Sequence, residues 1–184
     1  MESGHTPSRG HAEWWNGDVP WVTLSDARAR DGRAIHDTQE HTNEAGLANS
    51  AARLLPTGTV CISRTASVGY VVVMGRPMAT SQDFVNWVPT AAVAPNWLRI
   101  VFSADRESLR RFGKGSVHKT IYFPEWISVH VALPPLPEQH RIVAEVERRL
   151  SVVDELEASV AADLQRATRL RQSILTRAFS GELV

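Results

Sequence analysis

From Glu138 to Ser180 the chain runs through about 43 residues without a glycine or a proline. Such a stretch reads as one continuous helix, roughly 65 Å long at 1.5 Å rise per residue. The residues before it suffice for a globule only about 35–40 Å across, by the usual scaling of size with length. An arm of that length outruns any surface the chain itself can offer. It is expected to act as a spacer, a pairing arm, or both. The segment opens at Pro134-Pro135-Leu136-Pro137, with Pro137 suited to a first helical position and Glu138 and Gln139 to the first turn. Gly181 is a plausible stop.

The apolar positions of the arm support pairing. Ile142, Val146, Leu150, Val153, Leu156, Val160, Leu164, Ala167, Leu170, Ile174 and Ala178 follow steps of three and four. Their mean step is about 3.6, the period of a straight helix, so little supercoiling is expected. Val146, Leu150, Val153, Leu156, Val160, Leu164, Ala167, Leu170 and Ile174 form the expected pairing face. Charge is graded along the same helix. Between Glu138 and Asp163 there are seven acidic and three basic residues, whereas Leu164–Val184 holds four arginines and one acid. Two parallel copies would oppose like charges; two antiparallel copies would match acid with base. Exposed ion pairs are individually weak, so the gradient selects orientation more than it adds stability.

The preceding residues read as a mixed α/β domain rich in turns, giving an α+β chain: a globular domain over 1–133, a proline-rich hinge at 134–137 and a long helix over 138–184. The N-terminal stretch through Trp21 is loop-like, and residues 21–24 read as a short strand. Residues 42–52 look like a capped helix. Two β-rich runs, 58–65 and 68–75, are joined by a short polar turn and should pair antiparallel. Residues 83–88 form another strand candidate, 95–112 a helix, and 126–133 a closing strand.

Composition narrows the function. No run approaches the roughly 18 apolar residues of a membrane span, and no signal-peptide pattern is present. Cys61 is the only cysteine, which removes an intrachain disulfide or cysteine-rich zinc cluster and suits a reducing cytoplasm. The pairs His5/His11 and His36/His41 do not have zinc-ligand spacing, so no metal is expected. No dinucleotide fingerprint, phosphate loop or nucleophile elbow occurs, which favours a binding module over an enzyme. The 20 basic and 20 acidic side chains cancel, so any polyanion surface must be local or shared with a partner.

Three loops carry residue types that reach phosphates and base edges. They are Arg64, Thr65 and Ser67 between the two strands, Ser81 and Gln82 before the next, and Lys114, Ser116, His118 and Lys119 after the helix. The same types also serve in solvated turns. Their concentration in three loops of one domain beside a spacer arm is what marks them.

The stretch PPLPEQHRIVAEVERRLSVVDELE, followed by RLRQSILTRAFSGELV, resembles the conserved helical region of the specificity (S, or HsdS) subunit of type I restriction-modification systems. TPSR, WWNGDVPWVTLSD, LLPTGTVCISRTASVG and MATSQDFVNW resemble a target-recognition domain of that family. The resemblance implies a non-catalytic subunit that binds double-stranded DNA through recognition domains set apart by long antiparallel helices. It implies modification (M) subunits that carry S-adenosylmethionine and methylate adenine at N6, restriction (R) subunits that cleave DNA with ATP, and no cofactor on this chain. It covers one recognition domain and one helix, about half of a full subunit. A homodimer reading a bipartite palindrome is therefore expected, with a regulatory module that docks on the modification subunit without reading DNA as the alternative.

Overall fold

The computed structural model describes residues 1–115 and 119–181. The elements in order are β1 (Glu2–Ser3), a 3-10 turn (Ala12–Trp14), β2 (Trp15–Val22), α1 (Leu24–Ala29), β3 (Ala34–Ile35), β4 (Glu40–Thr42), α2 (Glu44–Ala48), β5 (Val60–Ser63), β6 (Val71–Met74), β7 (Ala79–Thr80), β8 (Phe84–Trp87), α3 (Pro95–Ala104), α4 (Arg106–Arg111), α5 (Phe123–Ile127) and α6 (Leu136–Ser180). The chain divides into two compact units, Met1–His140 and Arg141–Val184. This is the expected mixed α/β domain followed by one long helix.

The first unit is organised by a five-stranded sheet in the order β1-β8-β5-β6-β3. The two β-rich runs pair antiparallel as expected, with Val60 opposite Val73, Cys61 opposite Val72 and Ile62 opposite Val71. Every residue of β5 and β6 is buried, so the sheet is covered on both faces and its centre shows no polar alternation. One face, with Cys61, Val72, Met74 and Phe84, packs with Val22, Ala27, Ile35, Leu55 and Met78. The opposite face receives α3, whose Phe102 meets Trp87 of β8 and then Trp126 in an edge contact. Burial pushes the Cys61 thiol far above its ordinary range, as expected of a core residue rather than a nucleophile.

Several local readings are corrected. The loop-like N-terminal stretch contains most of β2, which begins at Trp15 and pairs with β4 in a three-stranded sheet ordered β4-β2-β7. The Asn-Gly pair there is absorbed by a bulge: Asn16 takes φ +60°, and Trp15 and Val19 both register against Thr42. Residues 21–24 are not one strand, because Thr23 caps α1. Its hydroxyl accepts the Asp26 N–H while the Asp26 carboxylate accepts the Thr23 N–H. The expected helix over 95–112 breaks at Asp105 into α3 and α4.

The closing strand over 126–133 is absent; residues 123–127 form the short helix α5. Pro124 presets a helical φ in its first turn, Trp126 is fully buried, and the Ser128 hydroxyl closes back on the Glu125 carbonyl. Burial of one large ring on a proline-started turn outweighs the β-branched pattern that follows.

Helix α6 begins at Leu136, within the expected hinge. Gln139 is completely buried. Its Oε1 accepts the Ala94 N–H at 2.7 Å, and its Nε2 donates to the Ala92 and Pro134 carbonyls at 2.9 and 2.8 Å. The first turn of the helix is thereby tied into the loop ahead of α3. Among the described residues, no helix is long and apolar enough to cross a membrane.

Candidate nucleic-acid interface

Strand β5 ends at Ser63 and releases a loop that returns to β6 through Gly69, whose φ of +102° only glycine holds without strain. The tip is tightly folded. Ala66 sits at φ +59°, the Ser67 N–H reaches the Thr65 carbonyl, and the Ser63 hydroxyl donates to the Ser67 carbonyl at 2.5 Å. A non-glycine residue in this region costs about 1 kcal/mol or more and persists only where its surroundings enforce it.

Two further loops are fastened to this one. The Arg64 N–H donates to the Asp83 carbonyl at 2.7 Å, and Arg64 Nε donates to the Gln82 carbonyl at 3.1 Å. On the other side the Ile121 N–H donates to the Arg64 carbonyl, and the Thr65 and Thr120 hydroxyls lie 3.3 Å apart. Lys114 and Thr120 exchange backbone hydrogen bonds at 2.9 Å, closing the third loop on itself. The three loops singled out in the sequence therefore meet beside the C-terminal end of β5.

The N-terminal loop joins them, which the sequence reading did not anticipate. The Gly4 N–H donates to the Phe84 carbonyl and the His5 N–H to the Thr80 carbonyl. A Cβ at Gly4 would lie 1.9 Å from the Ser81 carbonyl oxygen, so this approach excludes any other residue. The Thr6 hydroxyl donates to Gln82 Oε1. Further along the loop, the Arg9 guanidinium lies over the rings of Trp15 and Trp21, 3.9 and 4.9 Å from their centroids, and pairs with Glu40.

The individual side chains are placed differently from one another. Ser67, Gln82 and Lys119 are exposed. Arg64 is half-buried, and among the described residues its Nη groups take no partner. Lys114 is held by the Glu125 carboxylate at 2.5 Å, which raises the lysine pKa and lowers that of the glutamate. Thr65 is turned toward Thr120. Ser81 is buried, with its hydroxyl donating to Asp83, so it shapes the turn and presents nothing outward. Ser116 and His118 lie outside the described residues. Arg110, which the sequence did not single out, reaches the first loop from α4 through Nε to the Val68 carbonyl. Its signal was weak because Arg106, Arg110 and Arg111 share one short helix. Arg106 is taken instead by Asp31, both of whose carboxylate oxygens accept from its Nη2. Among the described residues no group of three or more His, Cys, Asp or Glu is placed to hold a metal ion.

On α6, Leu150, Val153, Leu156, Val160, Leu164, Leu170 and Ile174 are all exposed, and Ala167 with them. Val146 is half-buried. Phe179 stands 89% exposed near the end.

Residues 1–165 match the family model of the type I restriction modification DNA specificity domain. The chain is 29% identical over 144 residues to the type I restriction enzyme MjaIX specificity subunit of Methanocaldococcus jannaschii, covering 77% of this chain and 33% of that protein. It is similar in fold to a chain from a structure of the type I restriction-modification system, solved for its assembly and conformational transition. The TM-score there is 0.77 at 22% identity, over 97% of this chain and 42% of the other. The HsdS subunit of Thermoanaerobacter tengcongensis gives a TM-score of 0.66 at 19% identity, over 85% and 36% respectively. The chain thus spans a third to about two fifths of the length of these proteins.

Proposed function

This chain belongs to the type I restriction modification DNA specificity family, and from that premise we propose that it reads double-stranded DNA as half of a specificity subunit. The observation that carries the proposal is the convergence of three loops, bearing Arg64, Gln82, Lys114 and Lys119, beside one end of the central sheet, with the N-terminal loop joined to them through Thr6. Arginine and lysine serve phosphates and guanine edges, and glutamine suits the adenine edge. Lys114 is held by Glu125 and the chain has zero net charge, so its affinity alone is modest. Methylation of adenine at N6 with S-adenosylmethionine, and ATP-driven cleavage, belong in this reading to modification and restriction subunits that dock on it.

Two copies pair through α6, antiparallel. The exposed apolar row and the acid-to-base gradient support that arrangement, since a solitary helix leaves the row in water. Two identical recognition domains about a two-fold axis imply an interrupted palindrome as target. Selection from random duplex DNA, with and without the modification subunit, tests the reading: an enriched bipartite palindrome is expected. No enrichment in either arm would refute DNA reading and favour the second function. In that function the chain is a docking module acting through its exposed helix row, consistent with its neutral charge.

A further inference from the structure

Behind the tip of the first loop lies a cavity of about 290 Å³, lined by Ala66, Ser67, Val68, Tyr70, Arg110 and Lys119. Among the described residues its charged lining consists of two cations. Four carbonyl groups of the loop beside it are already engaged. That of Arg64 accepts from Ile121, that of Thr65 from Ser67, that of Ser67 from the Ser63 hydroxyl, and that of Val68 from Arg110 Nε. A loop whose carbonyl oxygens are drawn to protein donors offers few lone pairs to a neighbour and repels an anion little. What remains is the exposed Ser67 hydroxyl, the Lys119 ammonium and the outer edge of the Arg110 guanidinium. Arg110 is pre-oriented, because its Nε is fixed on Val68. One of its outer nitrogens pairs with Glu107 at 3.0 Å, but that glutamate is 82% exposed, so the pair is readily exchanged. Among the described residues the other outer nitrogen takes no partner.

We infer that this cavity seats one phosphate of the DNA backbone, clamped by Arg110 and Lys119 and capped by the Ser67 hydroxyl. The inference rests on the DNA-reading function above and adds a division of labour to it. Arg110 and Lys119 set the register of the loop on the duplex without reading sequence, while Arg64 and Gln82, fastened to the same loop, face the bases. A phosphodiester suits the site better than a carboxylate, because three donors from separate elements converge on it and a phosphate offers more acceptor lone pairs to meet them.

The test measures binding of the chain with its modification partner to a selected duplex and to a scrambled one, across a potassium chloride series. Arg110→Gln keeps a neutral donor for the Val68 carbonyl and removes the charge. Binding to both duplexes should fall by the same factor, and the slope of log K against log salt should become shallower by about 0.9, as for one lost phosphate contact. Lys119→Ala should do the same, and Arg64→Ala should instead lower the ratio between the two duplexes. Unchanged melting of Arg110→Gln separates the effect from misfolding. A methylphosphonate scan of the duplex adds a second reading: one position should weaken the wild type markedly more than it weakens Arg110→Gln. An unchanged salt slope, or a loss confined to the selected duplex, overturns the phosphate seat and leaves the DNA-reading function standing. Failure of the wild type to bind either duplex removes both.

Discussion

Replacing Gln139 should damage the protein far more than a polar residue in the first turn of a helix normally would. The side chain is fully buried and makes three hydrogen bonds. In Gln139→Leu all three are lost, but their partners fare differently. Ala94 is buried, so its N–H has no route to water, and an orphaned buried donor costs about 1–3 kcal/mol. Ala92 is exposed and Pro134 half-buried, so their carbonyls regain water and each bond costs roughly 0.5–1 kcal/mol. The sum is about 2–5 kcal/mol, or a fall in Tm on the order of 5–20 °C for a chain of this length. Urea and thermal unfolding followed by tryptophan fluorescence would measure it, since five of the six tryptophans precede Ala104 and all lie in the first unit. Gln165→Leu, on an exposed part of the helix, is the control and should shift stability by less than about 0.5 kcal/mol. Gln139→Glu adds a signed test. A carboxylate there keeps the Ala94 bond but faces two carbonyl oxygens without a cation, so its folded pKa is raised above the unfolded value of about 4.3. The variant should be least stable at neutral pH and recover as pH falls toward 4, because protonation favours the folded state. A Gln139→Leu loss below about 1 kcal/mol, or a Gln139→Glu variant whose stability relative to wild type ignores pH, would refute the reasoning.

The paired-helix reading predicts that Val153→Asp with Val160→Asp abolishes dimerisation in sedimentation at micromolar concentration. An uncompensated buried charge costs about 3–5 kcal/mol, more than a hundredfold in dissociation constant, and a persistent dimer would show that the interface lies elsewhere. Glu125→Gln frees Lys114 from its carboxylate, so binding to non-cognate DNA should strengthen severalfold and its salt dependence steepen; unchanged binding would place Lys114 away from the duplex. Glu145 is held at about 2 by hydrogen bonds from Arg148 and then Arg149. Carboxyl titration by NMR should find it well below the ordinary glutamate value of 4.5, and Arg148→Ala should return it toward that value. Because the folded value is depressed, the stabilisation from this pair holds above about 4.5 and fades as pH falls toward 2.

The long helix, the central hairpin and the residues of the three loops were legible in the amino-acid order because each depends on local rules. Uninterrupted 3.6-residue periodicity needs no tertiary context, and β-branched runs around a short polar turn pair with their neighbour. The failures share a cause. Residues 126–133 have a strand's composition, yet Trp126 is drawn into the core against Phe102 and residues 123–127 form a short helix instead. The stretch before Trp21 has a loop's composition, yet pairing with β4 absorbs Asn16 and Gly17 in a bulge. In both places a contact with a distant residue overrides propensity.

For the site the division runs along the same line. Residue chemistry marked Arg64, Ser67, Gln82, Lys114 and Lys119, since only certain side chains can reach phosphates and base edges. It could not tell that Ser81 turns inward, that Lys114 is held by Glu125, or that Arg110 and the Thr6–Arg9 loop join the cluster. Helix period and side-chain type are properties of adjacent residues and survive in the bare order of the chain. Which donors remain unclaimed depends on which hydrogen bonds the folded loops make, several of them, such as Thr6 to Gln82 and Arg110 to Val68, between residues tens of positions apart that meet only once the sheet has brought its loops together.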